Sequence, residues 1–227
     1  RADPQPGPDR RPVGCRVHAE DAQLAGASAL LLTPVSYHRL TANEVFGLYR
    51  DVVSASSVPV FVYDSPGTTG FVFSDELLER IARLPRIGGI KIPPPPAGAT
   101  ASRIAELRGI FSPEHSIGLS GDWEAADALL AGYDVWHSVI AGIFPRHAME
   151  LADAALAGNA GTAREISRKF DPIWALFKSH GSLRVVAAIA EELGLTGPHS
   201  LPSPLKGLED PTRSEIRDSL KLTGLDG

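Results

Sequence analysis

The chain has one cysteine, Cys15, among its 227 residues. A single thiol excludes an intramolecular disulfide and suits a reducing compartment, so a cytoplasmic protein is expected. Long apolar runs are missing too. None approaches the roughly 20 residues that span a bilayer. The opening stretch Arg1–Arg11 is rich in proline, arginine and aspartate, without the apolar segment of a signal peptide. No membrane partner is expected. Lysine and arginine form no basic stripe and the net charge is −5, which argues against a nucleic-acid surface. The seven histidines are scattered. None pairs with another at ligand spacing, so no metal is expected.

What is present is a globular composition. With 43% hydrophobic residues the chain can bury a core, as one large domain or two small ones. Short apolar runs alternate with longer helical stretches. Ala29–Leu32, Val58–Tyr63, Ile87–Ile92, Ser116–Ser120 and Val135–Ile140 read as strands, with Pro12–Arg16 a weaker sixth. Helices are expected at Ala19–Ala25, Thr41–Ser54, Ser74–Leu84, Ala101–Gly109 and Asp122–Ala131. Thr41-Ala42-Asn43-Glu44 spells a capping box, and Ser74 is a good N-cap followed by acids. After Phe144 the strands stop. Arg146–Leu156, Ala160–Ser179, Leu183–Leu193 and Ser214–Leu222 read as helices. The alternation predicts a parallel sheet with crossover helices over residues 1–145, then a helical region over 146–227.

Parallel α/β folds carry their chemistry at the carboxyl ends of the strands. There stand Tyr37, Tyr63, Lys91, Ser120-Gly121-Asp122 and Ile140-Ala141-Gly142. Lysine is scarce, with five in all, and the other four lie in helical or polar C-terminal context. Burial at a strand end disfavours the cation and frees an amine able to attack a carbonyl. Taken alone, Lys91 also reads as a lysine that snorkels to solvent. Tyr37 and Tyr63 also read as packing residues with satisfied hydroxyls. Ser65-Pro66-Gly67 also reads as a turn, and Ser120-Gly121-Asp122 as a helix cap.

Four segments, in order, resemble the dihydrodipicolinate synthase / N-acetylneuraminate lyase family. They are Ala25-Gly26-Ala27-Ser28-Ala29-Leu30-Leu31-Leu32-Thr33-Pro34, Val62-Tyr63-Asp64-Ser65-Pro66-Gly67-Thr68-Thr69-Gly70, Gly89-Ile90-Lys91 and Leu119-Ser120-Gly121-Asp122. The resemblance runs from about Val17 to the C-terminus. It implies a TIM (β/α)8-type barrel with a C-terminal helical extension, and class I aldolase chemistry without a cofactor. By the same resemblance Lys91 forms a Schiff base with pyruvate or another 2-oxo acid. Tyr63 shuttles protons, and Tyr37 belongs to a hydroxyl relay that reaches a neighbouring subunit. Ser120, Gly121, Ile140, Ala141 and Thr68 would line the substrate. A homo-oligomer, dimer or tetramer, is implied, with Trp174 and Phe177 giving the C-terminal helices an aromatic face for burial between chains or on the chain's own barrel.

The sequence also departs from that family. The resemblance implies two strands ahead of Pro12–Arg16, the second ending in a Gly-Thr-Thr-Gly-Glu-like loop that binds the keto-acid carboxylate. This sequence contains no such loop, and six strands do not close an eight-stranded barrel. Family members that make dihydrodipicolinate usually carry an arginine where Thr68 stands. Pro93–Pro96 stiffens the segment after Lys91. The alternative expectation is a catalytically silent, truncated relative with a scaffold or binding role.

Overall fold

A computed structural model of the chain describes residues 13–224. In chain order its elements are α1 (Val13–Leu24), β1 (Leu30–Leu32), α2 (Ala42–Ala55), β2 (Val60–Tyr63), α3 (Pro66–Thr69), α4 (Asp75–Ala82), β3 (Ile87–Ile92), α5 (Thr100–Ile110), β4 (Ser116–Ser120), α6 (Ala125–Ala131), β5 (Val135–His137), α7 (Pro145–Leu156), α8 (Ala160–Lys169), α9 (Asp171–His180), α10 (Ser182–Glu192) and α11 (Asp210–Thr223). Single 3-10 turns occupy Asp122–Glu124 and Ile140–Gly142. Among the described residues no helix is long and apolar enough to cross a membrane.

Local chemistry explains most boundaries. The Thr41 hydroxyl accepts from the Glu44 amide, and the Glu44 carboxylate accepts the Thr41 amide at 2.7 Å, which completes the capping box. Ser74 caps α4 by accepting from the Leu77 amide. Gly132 adopts φ 103 and closes α6 with a left-handed turn. Three expectations need correction. The strand expected at Pro12–Arg16 is instead the first turn of α1 from Val13 onward, while Pro12 lies outside the described residues. Ala19 is buried on that helix, and α1 packs against α2, while Val17 near its start stays exposed. The helix expected at Ala160–Ser179 is two helices, because Pro172 cannot continue α8 and instead opens α9. Ser65-Pro66-Gly67, read as a turn, enters the one-turn helix α3.

Packing divides the chain into two compact units. One holds the described residues up to Ile92 with Ala105–Ile117; the other holds Pro93–Ile104 and the described residues from Gly118. The boundary drawn at 145 marks a different property, the point after which only helices follow. In the first unit β1, β2 and β3 lie side by side in chain order, all parallel. That sequential order has no reversal of the kind that marks a doubly wound sheet. Val45, Tyr49, Val52 and Val53 of α2 and Leu77, Leu78 and Ile81 of α4 are buried, as are Val60, Val62, Ile87, Ile90 and Ile92 of the strands. Each large aliphatic side chain so buried contributes about 1.5–3 kcal/mol. Gly89 has φ 145, and a Cβ there would fall 1.9 Å from the Ser116 carbonyl oxygen. Only glycine permits that approach.

In the second unit Gly118, Leu119 and Ser120 of β4 pair in parallel with Val135, Trp136 and His137 of β5. The helices gather around Phe170, Ile173, Trp174, Phe177, Val185, Ile189, Ile216 and Leu220. Trp174 and Phe177 are each only 3% exposed. The Trp174 indole stacks on Phe170 at 5.2 Å and donates to the Ser167 carbonyl. Of the two burial sites expected for these aromatics, the structure takes the intramolecular one: they lie in the chain's own helical core, and neither offers a face to a second subunit.

Candidate active site

The first unit sets a lysine and a tyrosine next to each other at the carboxyl ends of neighbouring strands. Tyr63 ends β2 and is the register partner of Lys91 on β3. Register partners on parallel strands project to the same face, and the Lys91 Nζ lies over the Tyr63 ring, 4.1 Å from its centroid. A cation over an aromatic face is held by the ring quadrupole, worth about 0.5–2 kcal/mol. Both residues are half-buried. The strand ends are also tied through the backbone, since the Asp64 amide donates to the Lys91 carbonyl at 2.9 Å. The amine is thus fixed on a rigid element and still accessible to a small molecule.

A second tyrosine, which the sequence reading passed over, supports this pair. Tyr49 is fully buried on α2, and its hydroxyl donates to the Leu32 carbonyl at 2.7 Å. Burial pushes that hydroxyl far above the ordinary tyrosine range, the Tyr63 backbone amide pulls it back, and the Asp64 carboxylate pushes it up further. Tyr49 is therefore a neutral donor that ties the end of β1 to the end of β2. Its position on the apolar stripe of α2, four residues after Val45, makes it look like plain core. The only sequence signal is that a buried tyrosine hydroxyl needs a partner.

The other expected residues are placed as follows. Tyr37 is 98% exposed, and its ring meets the edge of His38 at 5.1 Å. It lines an open cleft of about 440 Å³ with Arg39, Leu40, Phe71 and Val72, and neither Tyr63 nor Lys91 borders that cleft. Thr68 is exposed on α3, and its hydroxyl accepts from Ser65 Oγ at 3.2 Å.

In the second unit, Asp122 organises Ile140 and Ala141. Its carboxylate is 1% exposed and accepts from Ser138 Oγ at 2.9 Å, the Val139 amide at 3.0 Å and the Ile140 amide at 2.9 Å. Ser138 Oγ accepts in turn from the Ala141 amide at 3.0 Å. These bonds draw residues 138–142 out of the strand expected to run to Ile140, and β5 ends at His137. Burial raises the Asp122 carboxyl above its ordinary range, against the pull of the Ile140, Ser138 and Val139 donors. Gly121 has φ 98, and a Cβ there would lie 2.2 Å from Pro94 Cγ, so the proline run packs directly on this turn. Ser120 precedes it at the end of β4.

Sequential parallel strands, joined by helices and bearing a lysine and a tyrosine at their carboxyl ends, place the chain in the TIM (β/α)8-type class of α/β proteins, followed by a helical extension. Comparison with known proteins gives the family. The model of the dihydrodipicolinate synthetase family matches residues 16–223, and the chain belongs to that family. It is 30% identical over 207 residues to the 4-hydroxy-tetrahydrodipicolinate synthase of Stutzerimonas stutzeri, covering 91% of this chain and 69% of that protein. Among solved structures, the dihydrodipicolinate synthase of Agrobacterium tumefaciens matches with a TM-score of 0.88 and 44% identity, over 92% of this chain and 70% of that one. A chloride-inhibited dihydrodipicolinate synthase from Acinetobacter baumannii, complexed with pyruvate, matches with a TM-score of 0.83 and 26% identity, over the same shares.

Proposed function

We propose that this protein is a Schiff-base-forming lyase or aldolase, similar to dihydrodipicolinate synthase and acting on pyruvate or a related 2-oxo acid. The observation that carries the reading is the Lys91 amine held over the Tyr63 ring at the strand ends. In its neutral form the amine attacks the C2 carbonyl, and water leaves as the iminium forms. The iminium draws electrons from C3, which then releases a proton or a carbon substituent and becomes the enamine nucleophile. Tyr63 carries protons at these steps, as the hydroxyl-bearing residue beside the amine. A relative crystallised with pyruvate supports the choice of keto acid. Thr68, in place of an arginine, points to a second substrate other than aspartate semialdehyde.

The same proposal gives Ser120, Gly121, Ile140, Ala141 and Thr68 to substrate binding on the strength of their motifs. Tyr37 is assigned to the relay through a neighbouring subunit of a homo-oligomer, and its nearly full exposure leaves its hydroxyl free for that contact. The test needs no second substrate. Pyruvate is incubated with the protein in deuterated water, and loss of its methyl protons is followed by NMR. Catalysed exchange is expected in the wild type and none with Lys91→Ala. Tyr63→Phe is expected to slow exchange by about two to four orders of magnitude, as for loss of a general acid–base group. Exchange no faster than in buffer, for pyruvate and other small 2-oxo acids alike, would replace this reading with that of a silent scaffold.

A further inference from the structure

Thr33, just past the end of β1, has a hydroxyl that is buried and makes no hydrogen bond among the described residues. A hydroxyl withdrawn from water and left unbonded is destabilising. Such a group calls for a partner that the described residues do not supply.

Register shows where that partner would come from. Leu32 pairs with Val62, and Tyr63 pairs with Lys91. Carrying the first register one residue on sets Thr33 beside Tyr63. Thr33, Tyr63 and Lys91 then form one row across three neighbouring strands, pointing to one face. Two strand spacings put the α-carbons of Thr33 and Lys91 roughly 10 Å apart. The Lys91 side chain closes part of that gap, because its amine lies over the Tyr63 ring in the middle of the row. An adduct on that amine would form over Tyr63, next to Thr33.

We propose that the Thr33 hydroxyl donates a hydrogen bond to a carboxylate oxygen of the 2-oxo acid bound at Lys91. This rests on the Schiff-base reading of Lys91. It assigns part of the carboxylate recognition to the end of β1. The hydroxyl would be idle in the free protein and satisfied in the complex.

The test compares wild type, Thr33→Val and Thr33→Ser. Valine keeps the shape and removes the hydroxyl, while serine keeps the hydroxyl. Each protein is incubated with increasing pyruvate, reduced with borohydride, and assayed for adduct at Lys91. Thermal unfolding is measured without ligand. Thr33→Val is expected to unfold at the wild-type temperature or above it, and to need about ten- to a hundredfold more pyruvate for half-saturation, the range for a hydrogen bond to a charged group. Thr33→Ser should saturate near wild type. Two results would overturn the proposal: saturation of the valine variant at wild-type pyruvate, or a clear loss of its ligand-free stability, which would show that the hydroxyl is bonded already. If the wild type itself gives no adduct, the Schiff-base reading fails first and this inference falls with it.

Discussion

Replacing Asp122 separates an organising carboxylate from an ordinary helix cap. Its Oδ1 takes three donors, Ser138 Oγ and the amides of Val139 and Ile140, and its Oδ2 takes the Val139 amide again at 3.2 Å. Asp122→Ala removes all of them. Ser138 can reorient, and Val139 is partly exposed at 37%, so its amide can turn to water. The Ile140 amide cannot, since that residue is 1% exposed. Hydrogen bonds to a charged acceptor contribute about 1.5–3 kcal/mol each, and a stranded buried amide costs about 1–3 kcal/mol. Set against the relief of burying a carboxylate, the net loss for alanine is about 3 kcal/mol. At about 2–4 °C per kcal/mol for a chain of this size, that lowers the melting temperature by roughly 6–12 °C. Asp122→Asn keeps an oxygen at the Oδ1 position and replaces only Oδ2, so it should lose about 1 kcal/mol. The pH response has a definite sign. Burial raises this carboxyl in the folded state, so its contribution is complete below the ordinary aspartate range and declines as pH rises through the raised value. Asparagine lacks that decline, so its deficit against wild type should shrink as pH rises. Urea or thermal unfolding at several pH values reads all three effects. Equal, small losses for alanine and asparagine would refute the argument.

Three further outcomes are expected. Gly89→Ala places a Cβ 1.9 Å from the Ser116 carbonyl oxygen at φ 145, so little folded protein should be recovered, whereas Gly132→Ala should be milder, because no atom lies within 4 Å of its Cβ position and only its φ of 103 is strained. Tyr49→Phe keeps the ring and loses the 2.7 Å bond to Leu32; chemical unfolding should show a loss of about 1–2 kcal/mol, and deuterium exchange into pyruvate should slow while half-saturation by pyruvate stays near wild type. Arg213 bonds Glu191 at 2.7 Å and Glu192 at 2.8 Å and holds the Glu191 carboxyl below its ordinary range, so the stability it adds is present above the ordinary glutamate range and lost as pH falls through the lowered value; an Arg213→Met variant should differ most from wild type near neutral pH and least in acid.

The central strands were the legible part of this sequence. Ile87–Ile92 and Ser116–Ser120 are short runs with apolar centres, ended by proline and glycine respectively, and both fold as read. Misreadings fall where a distant partner decides. Val13–Val17 has strand-like residues but forms the start of α1, which leaves Val17 exposed and buries Ala19 further along. Ser138–Ile140 continues an apolar run, yet a carboxylate far back in the sequence captures its amides. The pairing of Tyr63 with Lys91 follows from strand register, which local patterning does not reveal. Tyr49 and Thr33 escaped notice because a tyrosine on an apolar helix face and a threonine after an apolar strand look like packing residues. Their roles emerge only from what their hydroxyls meet or fail to meet.

The central claim is that Lys91 is a nucleophile toward a 2-oxo acid, and peptide mapping tests it most directly. The protein is incubated with pyruvate, reduced with borohydride, digested, and its peptides are weighed. The account predicts one reduced pyruvate on the peptide bearing Lys91, with Lys169, Lys178, Lys206 and Lys221 unmodified. Label spread over the exposed lysines, or an unmodified Lys91 at saturating keto acid, would contradict it.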